Sequence, residues 1–131
     1  MDKESYVKFE TPELTEKKLL DLVENSFRSG KIKKGTNEVI KSIERGESKI
    51  VVIAEDVSPP EIVFYLPMLC EEKKVPYAYV KKRADLGSKV GIASAASVSI
   101  TDYGKSEEIY KQILEEVSNV KKGLSDQSGG R

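Results

Sequence analysis

Histidine and tryptophan are absent from this chain, and cysteine occurs once, as Cys70. Without histidine there can be no Ser-His or Cys-His nucleophile pair and no zinc site of the Cys/His kind. A lone cysteine cannot close an internal disulfide. A carboxylate or lysine active site stays open, but the commonest acid–base side chain is missing. No apolar run approaches the roughly 20 residues that a membrane helix needs. The opening MDKESYVKFETPE has no apolar signal core, so a cytoplasmic protein is expected. Net charge is absent too, with 22 basic residues against 22 acidic ones.

The 131 residues suit one domain with a proper core. The zero net charge hides an uneven distribution. Residues 28–49 hold seven Lys/Arg against three Glu, and residues 73–91 hold six against Asp85 alone. Residues 50–72 carry five acids and no base. If the two basic segments meet in the fold, they make a basic patch on a neutral protein; if they do not, they are ordinary surface charge.

Residues 1–12 read as irregular. Residues 13–29 read as a helix, with Leu14, Leu19, Leu20, Leu22, Val23 and Phe27 on one apolar stripe and Gly30 as its stop. Lys31 to Gly35 is a short basic stretch. A helix of about two and a half turns follows, with Thr36 as N-cap and Gly46 beyond its end. KIVVIA, residues 49–54, suits a strand buried on both faces. Ser58-Pro59-Pro60-Glu61 reads as a helix start with a capping box. That helix runs to about Lys73, with Ile62, Leu66, Leu69 and Cys70 on one face and Pro67 as a point of kinking. Tyr77 to Val80 is a second strand, 83–90 a short helix, the region of Val98 and Ile100 a third strand, and 105–122 an amphipathic helix. The expected organisation is one domain over residues 1–122 and a disordered tail at 123–131. Helices alternating with strands in this way imply a three-layer α/β/α sandwich around a small mixed sheet.

The second helix carries a candidate site. At about 100° per residue, with Asn37 at zero, Glu38 lies near 100°, Lys41 near 40° and Arg45 near 80°. Val39, Ile40 and Ile43 fall on the opposite side. Lysine can donate to guanine O6 and N7, and an asparagine amide both donates and accepts. A carboxylate accepts from ring N–H and amino groups and is repelled by phosphate. A phosphate clamp alone would not place Glu38 there; a reader of base edges would. The backbone N–H groups of Gly35 and Thr36 at the helix start favour a phosphate, and Lys31, Lys33 and Lys34 come just before them. The same pattern also fits a solvated helix with a routine Glu38–Lys41 pair.

GTNEVIKSIERG, together with VVIAEDVSPPEIVFYLPMLCEEKKVPYAYV, the following LGSKVG and the opening YVKFETPE, resembles the archaeal large-subunit ribosomal protein family L7Ae, which binds kink-turn RNA. The resemblance covers roughly residues 6–120, with several segments in the same order and spacing. It implies an α/β/α sandwich that recognises kink-turns and kink-loops, where tandem sheared G·A pairs follow a sharply bent internal loop. It implies service in the large ribosomal subunit, in box C/D and H/ACA guide ribonucleoproteins for 2′-O-methylation and pseudouridylation, and in ribonuclease P. The partners implied are ribosomal RNA, the guide RNAs, ribonuclease P RNA and the protein subunits of the guide particles, with a monomer when free and no cofactor.

By the same resemblance the RNA contacts are Gly35, Thr36, Asn37, Glu38 and Lys41, with Arg45 at a basic contact position. The loop after Leu86 to Gly91, here Ile92, Ala93 and Ser94, would pack on an extruded nucleotide and on the G·A pairs. Family members often carry a polar or acidic residue where this chain has Ala93, and the stretch before Ile100 is about one residue shorter. Lys33, Lys34, Lys82 and Arg83 are placed to reach phosphates. The residues also admit two rival readings: a small α/β enzyme using Glu55 and Asp56 after a buried strand, and a protein–protein scaffold on the acidic segment 55–72.

Overall fold

In the computed structural model, residues 6–129 are described, with side chains as far as Gly123. The elements are α1 (Glu13–Ser29), β1 (Lys31–Lys34), α2 (Thr36–Glu44), β2 (Ile50–Ala54), α3 (Glu61–Lys73), β3 (Tyr77–Val80), α4 (Arg83–Lys89), β4 (Ser97–Asp102) and α5 (Glu107–Gly129). The apolar run Ile50–Ala54 is buried along its whole length, as a strand covered on both faces must be. Strand order is β1-β4-β2-β3. β2 and β3 are parallel, while β4 runs antiparallel to both β1 and β2. α1, α4 and α5 pack together on one side of this mixed sheet, and α2 and α3 pack against each other on the other side. The fold is the expected α/β/α sandwich. Among the described residues no helix is long and apolar enough to cross a membrane.

Several local expectations change. The expected order has three strands, and the fourth, β1, lies in the basic stretch: Ile32 is its one apolar residue, and its ladder comes from pairing with β4. Leu14 and Phe27 leave the apolar stripe of α1, being 72% and 43% exposed, and Thr15 and Ser26 are buried in the same helix. Ser58 caps nothing: α3 begins at Glu61, after Pro60. Pro60 itself stands at the N-cap, and no side chain caps the first turn. Val63 rather than Ile62 faces the core, which leaves Ile62, Phe64, Tyr65 and Met68 exposed along α3. The backbone of α5 is helical to Gly129; most of the tail expected to be disordered, 123–131, lies beyond the described side chains.

The outer edge of β3 is covered by the segment before α1. Tyr79 N–H donates to Thr11 Oγ1 at 3.1 Å, and Tyr79 Oη donates to the Tyr6 carbonyl at 2.6 Å. Phe9, Tyr77 and Tyr79 stack around one another with centroids 5.1–6.0 Å apart. Lys121 lies 4.6 Å above the Tyr77 ring and bonds Glu71, which also accepts from Tyr77 Oη. Those hydrogen bonds, Tyr77 first and Lys121 second, lower the Glu71 pKa. Burial pushes the Cys70 thiol up to about 12, an inert core group.

Tyr6 is fully buried, donates to the Ala54 carbonyl at 2.8 Å and accepts from Val57 N–H at 3.2 Å. Tyr6→Phe leaves both backbone groups unpaired. The expected cost is about 1–3 kcal/mol, read as a lower urea midpoint at unchanged slope.

Candidate nucleic-acid interface

The register of the sheet decides which residues meet. Lys34 pairs with Val98, Ile53 with Ser97 and Ala54 with Val80. The end of β1, the ends of β2 and β3 and the start of β4 therefore lie at one end of the sheet. From that end emerge Gly35 and α2, residues 55–56, residues 81–83 and the loop 91–96. The two basic segments do meet there: Lys34 Nζ donates to the Val90 carbonyl at 3.2 Å and lies 5.5 Å from the Phe27 ring centroid.

α2 presents the expected faces. Asn37, Glu38, Lys41 and Arg45 are exposed, while Val39 and Ile43 are fully buried and Ile40 partly so. The N-cap is Gly35, not Thr36, which is already helical. Thr36 Oγ1 turns to Ser97 Oγ on β4, 3.5 Å away, instead of back to the helix amides. Gly35 has φ +90°, where a Cβ would be strained although nothing lies within 4 Å. No side chain caps this terminus, so its first amides remain available to an anion.

Small polar side chains hold α2 to the sheet. Ser42, Ser99 and Ser48 link hydroxyl to hydroxyl at 2.8 Å, and Ser42 also bonds the Val39 carbonyl at 2.7 Å. Ser97 and Ser99 are wholly buried. The sequence signal was the alternation Ser97-Val98-Ser99-Ile100, in which the serines mark the face turned to α2. Glu38 and Lys41 pair at 3.6 Å, both about half exposed, an arrangement worth little to stability.

The second element is α4 with its following loop. Ile92, Ala93 and Ser94 are exposed and Ala95 is buried, so Ile92 belongs to the surface rather than the core. Gly87 sits against this loop so closely that a Cβ would lie 2.5 Å from Ser94 Cα. Ile92 N–H donates to the Gly87 carbonyl, and Ala95 N–H to the Arg83 carbonyl, each at 3.0 Å. Lys82 and Arg83 are exposed, and Lys82 borders a depression of about 230 Å³ together with Glu55, Asp56 and Lys81.

The fold thus gathers Lys33, Lys34, Gly35, Thr36, Asn37, Glu38, Lys82, Arg83, Ile92, Ala93 and Ser94 at one end of the sheet, with Lys41 one turn along α2. Arg45 lies at the other end of α2, about 12 Å from Asn37 along the axis. Phe27, Gly87, Ser97, Ser99 and Asp56 support the surface and were not legible as such. Asp56 instead accepts Arg83 N–H at 2.8 Å. Among the described residues no group of acids or thiols is arranged to hold a metal.

An exposed polar helix face and a small apolar loop thus lie side by side at the strand ends of an α/β/α sandwich. Residues 17–110 match the ribosomal protein L7Ae/L30e/S12e/Gadd45 family. Large ribosomal subunit protein eL8 of Thermoplasma volcanium is 79% identical over 118 residues, 90% of this chain and 98% of that protein. The eL8 proteins of Thermoplasma acidophilum and Picrophilus torridus are 76% and 69% identical, covering 90% and 94% of this chain and 98% and 97% of theirs. Among solved structures, the Giardia lamblia 15.5kD RNA binding protein superposes with a TM-score of 0.75 at 33% identity, covering 89% of this chain and 95% of that one. The chain belongs to the L7Ae/L30e/S12e/Gadd45 family. These relatives are named as ribosomal proteins, not enzymes, and the enzyme reading of Glu55 and Asp56 is set aside.

Asn37→Ala and Lys41→Ala are expected to leave stability within about 0.5 kcal/mol, because these side chains are exposed. Gly87→Ala must displace the backbone at Ser94 and is expected to cost about 1–3 kcal/mol. Urea melts of the three variants check both statements.

Proposed function

We propose that this chain binds kink-turn and kink-loop RNA through tandem sheared G·A pairs. The observation that carries the reading is the joint exposure of Asn37, Glu38 and Lys41 beside the uncapped start of α2, next to Ile92, Ala93 and Ser94. A sheared G·A pair leaves guanine O6 and N1–H largely free. An amide, a carboxylate and an ammonium supply the matching acceptors and donors. The exposed loop offers short side chains for an extruded nucleotide to pack on. Lys33, Lys34, Lys82 and Arg83 flank these groups and attract phosphate, and Arg45 extends the basic line along α2. Family membership and the likeness to an RNA-binding protein support the reading.

On this reading the chain is a cytoplasmic component of the large ribosomal subunit, as the names of its relatives suggest. It serves also in box C/D and H/ACA guide ribonucleoproteins and in ribonuclease P, and is a monomer when free. The exposed Ile62, Phe64, Tyr65 and Met68 on α3, bordered by Glu61 and Glu72, suit a protein subunit of such particles.

The decisive experiment is a titration at fixed salt against a kink-turn hairpin and a control whose G·A pairs are replaced by Watson–Crick pairs. The kink-turn is expected to bind about a thousandfold more tightly, roughly 4 kcal/mol. Equal, weak, salt-sensitive binding to both would reduce the surface to a phosphate attractor and overturn the proposal. Glu38→Ala is expected to lower the ratio between the two RNAs more than it lowers binding to the control; an equal loss on both would contradict the reader role. Lys33→Ala is expected to weaken both RNAs alike and to flatten the salt slope by about one.

A further inference from the structure

We infer that Asp56 is a positioning residue for RNA recognition, holding the 81–83 turn and the 92–95 loop in register through a single carboxylate oxygen. The inference rests on the kink-turn reading and adds to it a residue that touches no RNA in the proposed contact set. Lys82, the residue at the N-cap of α4, makes no side-chain capping bond. The cap comes from the end of the neighbouring strand: Asp56 Oδ1 accepts the N–H of Arg83, the first residue of α4, at 2.8 Å. The carbonyl of that same Arg83 accepts Ala95 N–H at 3.0 Å, so one residue is held by Asp56 and in turn holds the loop. The chain around Asp56 is itself fixed. Ala54 N–H donates to the Ala96 carbonyl at 3.0 Å, and Glu55 N–H to the Val80 carbonyl at 2.9 Å. Tyr6 Oη donates to the Ala54 carbonyl and accepts Val57 N–H. The end of β2 is thus a rigid post between the two segments that carry Lys82, Arg83, Ile92, Ala93 and Ser94.

The role has an unusual sign. Asp56 is exposed at the phosphate-facing end of the sheet, where a negative charge by itself opposes RNA. If the carboxylate acted only as a charge, its removal would tighten RNA binding. If it positions the loop, removal weakens kink-turn binding despite the gain in charge.

The test uses the full chain, Asp56→Ala and Asp56→Asn, against the kink-turn hairpin and its Watson–Crick control at fixed salt. Amide hydrogen exchange is measured on each free protein. Asp56→Ala is expected to bind the kink-turn about five- to tenfold more weakly, the size of a lost cap. Its binding to the control is expected to be unchanged or slightly tighter. Asp56→Asn keeps an acceptor oxygen and is expected to stay within about twofold of the parent, as caps of the two residues are equivalent. Protection of the Arg83 and Ala95 amides is expected to fall in Asp56→Ala while that of β2 and β4 is kept. Kink-turn binding by Asp56→Ala at parental strength or above would overturn the inference, as would a uniform loss of protection across the sheet. Failure of the parent to distinguish the two RNAs would instead defeat the kink-turn reading, with the exchange pattern still reporting on Asp56.

Discussion

Strand β4 is the constraint on which the interface depends. It pairs with β1 on one side and β2 on the other, with Val98, Ser99 and Ile100 held on both. Its first residues therefore bring the preceding loop to the ends of β1, β2 and β3. Its inward serines let α2 lie close, through hydroxyl contacts instead of large apolar side chains. A bulky residue at Ser97 or Ser99 would have to push α2 away and tilt Asn37, Glu38 and Lys41 off the loop. The approach of α2 to β4 is set by the size of a hydroxymethyl group.

Charge at this end is placed rather than abundant. The chain is neutral, and the cations gather because two basic segments fold to the same strand ends. Acids are present among them, in distinct roles. Glu38 is offered outward on a helix face, paired loosely with Lys41. Asp56 is engaged with a backbone N–H. In a surface built only to attract phosphate, either acid would be a pure cost. In a surface that must hold one geometry and refuse another, each has a use.

The fold class and the polar face of α2 were legible because periodicity is local: Val39 and Ile43 fall inward wherever the helix packs. β1 was not, since Lys31, Lys33 and Lys34 surround a single apolar residue and only the partner strand makes the segment a strand. Leu14 and Phe27 match the α1 stripe by spacing, yet Leu14 is left exposed and Phe27 lies under Lys34 at the surface instead of in the core. Ser58 carries the letters of a cap, but the helix starts later, with Pro60 at its N-cap. Asp56 reads as one of two acids after a buried strand, and its partner is 27 residues away, a distance no short motif spans. What was missed depends on pairings between remote segments.

That remoteness carries over to how the molecule comes into being. The surface is made from residues 33–45, 81–83 and 91–95, and β1 must find β4 across more than sixty residues of chain. Such a topology is closed late and slowly compared with a local bundle. A fragment that ends before β4 lacks the strand whose pairing brings the loop beside the start of α2. Any ligand that needs both is thus a ligand of the closed state alone. At a free concentration a hundred times its dissociation constant it would add about 2.7 kcal/mol to stability by mass action. Such a ligand then acts as part of the folding equilibrium, and a chain that has not closed cannot compete for it.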